Sequence, residues 1–379
     1  VAEAVAGSAR RGSPASIERS RGSLVAFGVA LLGLAAIVLA FVTFEGAAAW
    51  GYDFEAYRNA ALRLAQTGSL YQADTIAGPF NPGPYGLYLY PPPLGVAIGS
   101  FADVPLQDGA ALWFALHVAC LVLACALFPV SLTTRLLAFG IAALSFGVIR
   151  DLVLGNVSVV LLPFLALAWR FLDRPVGSIA TAVAIALRPT IGLLLVWQLL
   201  RRRWLAVAWT VAAGLVLIAL SMPFVGPTGY AEYLTVLRNL SDMTGVENNI
   251  DLGSTVLGLA EDRALGEAAL LAGYAVAIVA LLASLRRDAE VGFMVTLGAS
   301  MLLSPLLWDH YLATLVIPAA FLTARGRPIA ILLPLLTWLP AAALPFVVVL
   351  ATVAPFLARD RVAERAPSGP LQQPLPSPA

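Results

Sequence analysis

Residues 24–44 read LVAFGVALLGLAAIVLAFVTF, a run with no charged residue. A helix needs about 20 apolar residues to cross the roughly 30 Å hydrocarbon core of a bilayer, so this run is long enough to span it. Arg10, Arg11, Arg19 and Arg21 precede it. A cleavable signal peptide has a shorter apolar region, about 7–15 residues. The stretch therefore predicts an uncleaved first transmembrane helix with its arginines in the cytoplasm.

Similar runs follow at 86–102, 109–128, 134–150, 155–171, 175–200, 204–223, 267–285, 290–307, 309–324, 328–340 and 342–357. They predict an all-α, polytopic transmembrane helical bundle of about ten to twelve spans. Composition agrees. Of 379 residues, 60% are hydrophobic and 12% charged, with a mean hydropathy of +0.86. A soluble domain averages about 25% charged residues, so lipid is the natural solvent here. The expected organisation is a disordered cytoplasmic tail at 1–22, a membrane domain at 23–358 and a second disordered cytoplasmic tail at 359–379.

The net charge of +1 supplies no basic field for nucleic acid. Cys120 and Cys125 lie in one apolar run, on different faces of a helix, which argues against a disulfide. No metal-ligand spacing appears, so neither metal nor cofactor is expected. The sequence has no GxxxxGK[ST], HExxH or GxSxG motif, which leaves ATP-driven and metalloprotease chemistry without support.

Arginine clusters set the sidedness. Arg201–Arg203, Arg286/Arg287, Arg325/Arg327 and Arg359/Arg361 read as cytoplasmic, which puts 45–85, 224–266 and the turn around Trp308–Tyr311 outside. Arg170 and Arg174 also look cytoplasmic, yet only the run 175–200 separates them from Arg201, and Arg188-Pro189 interrupts that run. Two readings stay open: a re-entrant hairpin with Arg188 near its tip, or one kinked span. The first outer loop predicts an amphipathic helix over Phe54–Thr67 on the outer membrane face. Its apolar stripe is Phe54, Tyr57, Ala61 and Leu64, with Asp53 at the N-cap and Gly68 just past the end. A Gly/Pro/Tyr-rich stretch, Pro79 to Pro93, follows and includes Tyr85.

Polar residues near lipid are costly and mark candidate sites: Asp53, Arg58, Arg150, Asp151, Asn156, Arg188, Asp309 and His310. Asp53 at the membrane surface can take a proton from a hydroxyl, or simply cap its helix. His310 can move a proton or orient a carboxylate, or close a polar edge among belt aromatics. Arg188 suits a phosphate, or else pairs with an acid or carbonyl inside the bundle. His117 reads as a packed structural residue. The polar residues of 224–266, among them Glu247, Asn248, Asn249 and Asp251, are expected to be solvated.

Asp53-x-x-x-Tyr57, Gly68-x-x-Tyr71, Tyr90-Pro91-Pro92, Arg188-Pro189, Arg201-Arg202-Arg203-Trp204, Ser304-Pro305 and Trp308-Asp309-His310-Tyr311 occur in this order. The set resembles glycosyltransferase family 87 of the GT-C superfamily over about residues 24–357. Where that family often has Gly-Gln-x-Asn, this chain has Gly155-Asn156-Val157-Ser158, and its usual Lys-Pro is Arg-Pro here. The resemblance implies a GT-C-type bundle in the cell membrane with its active site outside. It implies a polyprenyl-phosphate sugar donor, with mannose expected and arabinofuranose used by some members, and a lipid-linked, glycolipid or glycan acceptor. It assigns Asp53 and His310 to catalysis. The same reading puts Arg188 and Arg58 on the donor phosphate, and Tyr57, Tyr90, Asn156, Trp308 and Tyr311 on substrate. An N-capping Asp53 would have a depressed pKa, which keeps His310 as a second proton acceptor. The alternative function is a transporter or flippase of a lipid-linked sugar.

Overall fold

The structure, a computed structural model, describes residues 14–78, 87–240 and 244–359. Arg10, Arg11, Tyr85, Arg361 and most of both expected tails lie outside these residues. The described residues form helices and no strands.

The chain opens with α1 (Pro14–Phe44), whose helix begins within the segment expected as a tail. It runs on through α2 (Tyr52–Thr67), α3 (Ala73–Ala77) and α4 (Pro92–Ile98) to the long α5 (Leu106–Leu127). Next are α6 (Leu132–Ala143), α7 (Phe146–Leu154), α8 (Ser158–Arg170), α9 (Pro175–Leu187) and α10 (Leu193–Leu200). Then come α11 (Trp204–Asn239), α12 (Leu252–Ala260), α13 (Arg263–Ser284) and α14 (Ala289–Leu302). A 3-10 segment at Asp309–Leu315 leads into α15 (Val316–Ala324), a second at Pro328–Trp338 follows, and α16 (Leu344–Val353) comes last.

Among the described residues four helices are each long and apolar enough to cross a membrane: Gly22–Phe44 within α1, α5, α11 and α13. A fifth span forms if α6 and α7, bent by 64°, count together. The other apolar runs are divided into shorter helices. Hydropathy registered those runs as whole spans because it counts apolar length and does not see the breaks. Within α11 the helix breaks at Gly226, whose φ of 62° lies between Pro223 and Pro227.

The first span is fixed by small residues. A side-chain carbon at Gly33 would lie 2.7 Å from the Gly140 backbone, and one at Gly140 would run into the Val29 carbonyl. Small residues at a crossing let two backbones touch, the main packing device between helices in lipid.

The segment 175–200 is a hairpin. Arg203 Nη2, just past α10, donates to the Leu172 carbonyl just before α9 and to Asp173 Oδ1 at 2.7 Å. Thr210 Oγ1 of α11 lies within donating distance of both the Ser178 carbonyl, at 3.2 Å, and Gln198 Oε1, at 3.1 Å, which places the two arms side by side. The turn is Arg188-Pro189: Arg188 is extended (φ −146°, ψ 107°) and a short 3-10 turn follows. Proline cannot supply an amide to the preceding helix, so α9 stops there. The kinked-span reading is set aside, since a kinked helix would put residues 174 and 201 at opposite ends.

The arginine clusters read as cytoplasmic gather at one end of the bundle. Arg201 donates to the carbonyls of Leu285 and Arg287, Arg325 pairs with Asp288 and Glu290, and Arg327 donates to the Leu357 carbonyl. The opposite end carries Asp53, Asn156, Arg188 and the Trp308–Tyr311 turn.

Candidate active site

α2 packs onto the bundle by its apolar stripe. Phe54 and Tyr57 are buried, and the Phe54 ring meets Phe101 at 5.7 Å and Trp113 at 5.6 Å. The helix begins two residues earlier than its sequence signals suggest. Gly51 is the N-cap, with φ 67°, and its amide donates to the Val153 carbonyl at 2.8 Å. A side-chain carbon at Gly51 would sit 2.8 Å from the Ala110 methyl, so both conformation and space call for glycine. Asp53 is therefore in the first turn and makes no cap. Its carboxylate points into the site.

Asn156 holds that carboxylate. Its Nδ2 donates to Asp53 Oδ2 at 2.9 Å and to the Tyr90 hydroxyl at 2.9 Å. Asn156 lies in the tight link between α7 and α8, where Gly155 takes φ 72°. Trp113 Nε1 donates to the Gly155 carbonyl at 2.8 Å, and His117 Nε2 contacts the Asn156 carbonyl. Asp151 accepts from the amides of Ser158 (3.1 Å) and Val159 (3.0 Å) at the start of α8. His117 and Asp151 are thus the frame behind Asn156, as expected for a packed His117.

Opposite Asp53 stands His310. Its Nε2 is 3.9 Å from Asp53 Oδ2, and its Nδ1 is 3.3 Å from Asp309 Oδ1. Asp309 Oδ2 lies 4.0 Å from Arg150 Nε. The groups form a row: Arg150, Asp309, His310, Asp53, Asn156, Tyr90. Trp308 and Tyr311 flank the imidazole, with ring centres at 5.7 and 5.0 Å.

The two carboxylates shift in opposite directions. Burial raises Asp53 above the ordinary carboxylate value, and His310 and Asn156 only partly offset it. Burial also pushes Asp309 up, but the hydrogen bond and charge of His310, then Arg150, bring it below that value. The depressed Asp53 expected of a helix cap is corrected: there is no cap, and desolvation dominates.

All of the row except the buried Asn156 lines a cleft of about 510 Å³. Asp53, Tyr90, Arg150, Trp308 and His310 face it, with Glu247 and Asn248 on the far rim. Asn249 anchors that rim. Its Nδ2 donates to the Pro305 carbonyl at 3.1 Å and its Oδ1 accepts from the Leu307 amide at 2.9 Å. Asn249 and Asp251 are buried, which corrects the expectation that this loop is simply solvated.

The candidates do not all converge. Arg58 donates to the Val104 carbonyl at 3.1 Å and is absent from the cleft wall. Arg188 is 5% exposed and sits behind that wall. It bonds Ser158 Oγ and lies 3.6 Å from the centre of the Tyr311 ring. Tyr57 is buried beneath Tyr90, ring centres 5.1 Å apart. The cation that does face the cleft is Arg150, its side chain 42% exposed. The sequence marked Arg150 as a costly polar residue but gave it no partner, because Asp309 is far away in the chain. Among the described residues no group of three or more His, Cys, Asp or Glu side chains is placed to hold a metal ion.

Comparison with known proteins adds one match. The family model of glycosyltransferase family 87 matches residues 88–307. No curated protein and no solved structure matches the chain.

Proposed function

The chain belongs to glycosyltransferase family 87 and is a membrane glycosyltransferase, and we propose that it moves a sugar, mannose, from polyprenyl phosphate to a glycan or glycolipid hydroxyl. The observation that carries this reading is the row across the cleft, with two carboxylates of opposite tuning on either side of one imidazole. Paired groups whose environments push their pKa values apart are the usual mark of acid–base work.

In the proposed reaction Asp53 takes the proton of the acceptor hydroxyl. The freed oxygen pair bonds to the anomeric carbon. The bond from that carbon to the phosphate oxygen breaks, and polyprenyl phosphate leaves with its electrons. One displacement inverts the anomeric centre. The raised pKa makes Asp53 a stronger base than an ordinary carboxylate once deprotonated. Asp309 orients His310, which faces the Asp53 carboxylate before it takes the proton. Arg150 faces the cleft and meets charge growing on the leaving phosphate. Arg188, behind the wall, fixes Tyr311 and Ser158. The acceptor rests against Trp308 and the Glu247–Asn248 rim. The cleft opens on the outer membrane face, since the arginine-rich end is the cytoplasmic one by the charge rule.

The test uses purified enzyme and labelled polyprenyl-phosphate-mannose. The expected result is one polyprenyl phosphate released per sugar transferred, and a loss of about 100-fold or more in Asp53→Asn. Full transfer by Asp53→Asn would remove Asp53 from the mechanism. Movement of intact lipid-linked sugar across sealed vesicles, without transfer, would install the transporter reading instead.

A further inference from the structure

At the arginine-rich end, far from the cleft, a second cavity of about 240 Å³ lies between the hairpin and α11. That is room for about eight waters at roughly 30 Å³ each. Arg174, Ser178 and Arg203 form its polar wall, and Trp204, Leu205 and Trp209 its apolar one.

The charge bookkeeping is one-sided. Asp173 is the only acid on the wall, and Arg203 Nη2 already takes it at 2.7 Å. Arg203 Nη1 is buried with no hydrogen-bond partner. The Arg174 guanidinium lies 5.8 Å from the Phe171 ring. The Arg174 charge therefore lines the cavity with no acid paired to it, and Arg203 brings a buried donor without a partner into the same wall.

The apolar wall belongs to the membrane-facing side. Trp204 is 63% exposed and Trp209 42%, on a long apolar helix that buries little of its surface in the bundle. A tryptophan pair beside arginines at a helix end is the composition of a membrane–water boundary. A free anion would use the guanidinium groups and leave the indoles idle. A phospholipid uses both, with its phosphate on the arginines and its chains along α11. Basic pockets between spanning helices commonly hold anionic headgroups.

We propose that this cavity binds an anionic phospholipid, its phosphate headgroup held by Arg174 and Arg203 and its acyl chains lying on Trp204 and Trp209.

The experiment is native mass spectrometry of the full chain released from mixed phosphatidylglycerol–phosphatidylcholine vesicles, with three proteins compared. Arg174→Gln removes an exposed pocket charge, so folding is not at stake. Arg286→Gln removes an exposed charge at the same end but outside the pocket. The wild type is expected to retain phosphatidylglycerol over phosphatidylcholine. Arg174→Gln is expected to lose that retention at least fivefold, and Arg286→Gln to keep it. Equal retention of the two lipids by the wild type, equal losses in the two variants, or displacement of the lipid by millimolar inorganic phosphate would each overturn the proposal.

Discussion

Asn156 Nδ2 and Asp53 Oδ2 are 2.9 Å apart, and the same amide nitrogen also donates to Tyr90. A carboxylate largely withdrawn from water at the edge of a cleft has two ways to be held, by charge or by hydrogen bonds. Here the hydrogen bond is the closer contact and the His310 imidazole the further one. The amide fixes one oxygen, Oδ2, and makes no bond to the other.

Asn156→Ala removes a donor that favours the charged form of Asp53. Asp53 already lies above the ordinary carboxylate value, and in the proposed reaction it works deprotonated. Activity therefore falls as pH drops through that raised value. In Asn156→Ala the acid limb of kcat/KM against pH moves to higher pH still, and the plateau falls about tenfold. A pH–rate series on the two proteins checks both shifts. An unmoved limb would mean that the hydrogen bond does not tune Asp53.

Stability and activity should part company at Asp53. Burial disfavours its charged form in the folded state, so the stability it contributes is present at low pH and lost as pH rises through its raised folded value. Near neutral pH Asp53→Asn is expected to unfold at or above the wild-type temperature while transfer collapses. A thermal melt beside an activity assay reads both. A clear drop in melting temperature would make the transfer loss a folding defect.

The two site arginines should fail differently. Arg150→Gln keeps a folded protein and loses about 10- to 100-fold in kcat/KM for the phosphate-bearing donor. Arg188→Gln strips a buried cation from Ser158 and Tyr311, so its first symptom is low yield and an early melt. The reverse pattern, a well-folded Arg188→Gln with a donor defect and a fully active Arg150→Gln, would hand the phosphate role back to Arg188.

Gly140→Val drives a branched side chain into the Val29 carbonyl of α1. Overpacking of this kind costs about 1–3 kcal/mol. A lowered melting temperature is the expected outcome, and Gly28→Ala, at an open position, should leave it unchanged.

Much of this site was legible in the chain, and the limits have a physical origin. Asp53, Asn156 and His310 announced themselves because ionisable and hydrogen-bonding groups beside apolar runs are costly unless used, whereas Tyr90 and Trp308 entered only through the family resemblance. The α2 stripe was legible from its period. The missing parts depend on partners distant in sequence. Arg150 gained meaning only when Asp309 came to face it. Arg188 looked like a phosphate ligand until Tyr311 covered it. Asp53 looked like a helix cap because its spacing fits one, and only the left-handed Gly51 moved the helix start. Asn249 looked solvated because its tie to Pro305 and Leu307 crosses from one loop to another.

The hairpin at 175–200 changes how this chain would be wired through a bilayer. Its apolar length is enough for a crossing, yet Arg174 and Arg203 come out at the same end. In topology bookkeeping the segment counts as zero. Reporter enzymes fused after Arg174 and after Arg203 should read the same compartment, and every later helix keeps the parity it would have if the segment were deleted. The turn at Arg188-Pro189 would be inserted from one side and never delivered to the other, so the floor of a site proposed to open outward would be put in place from the inner face.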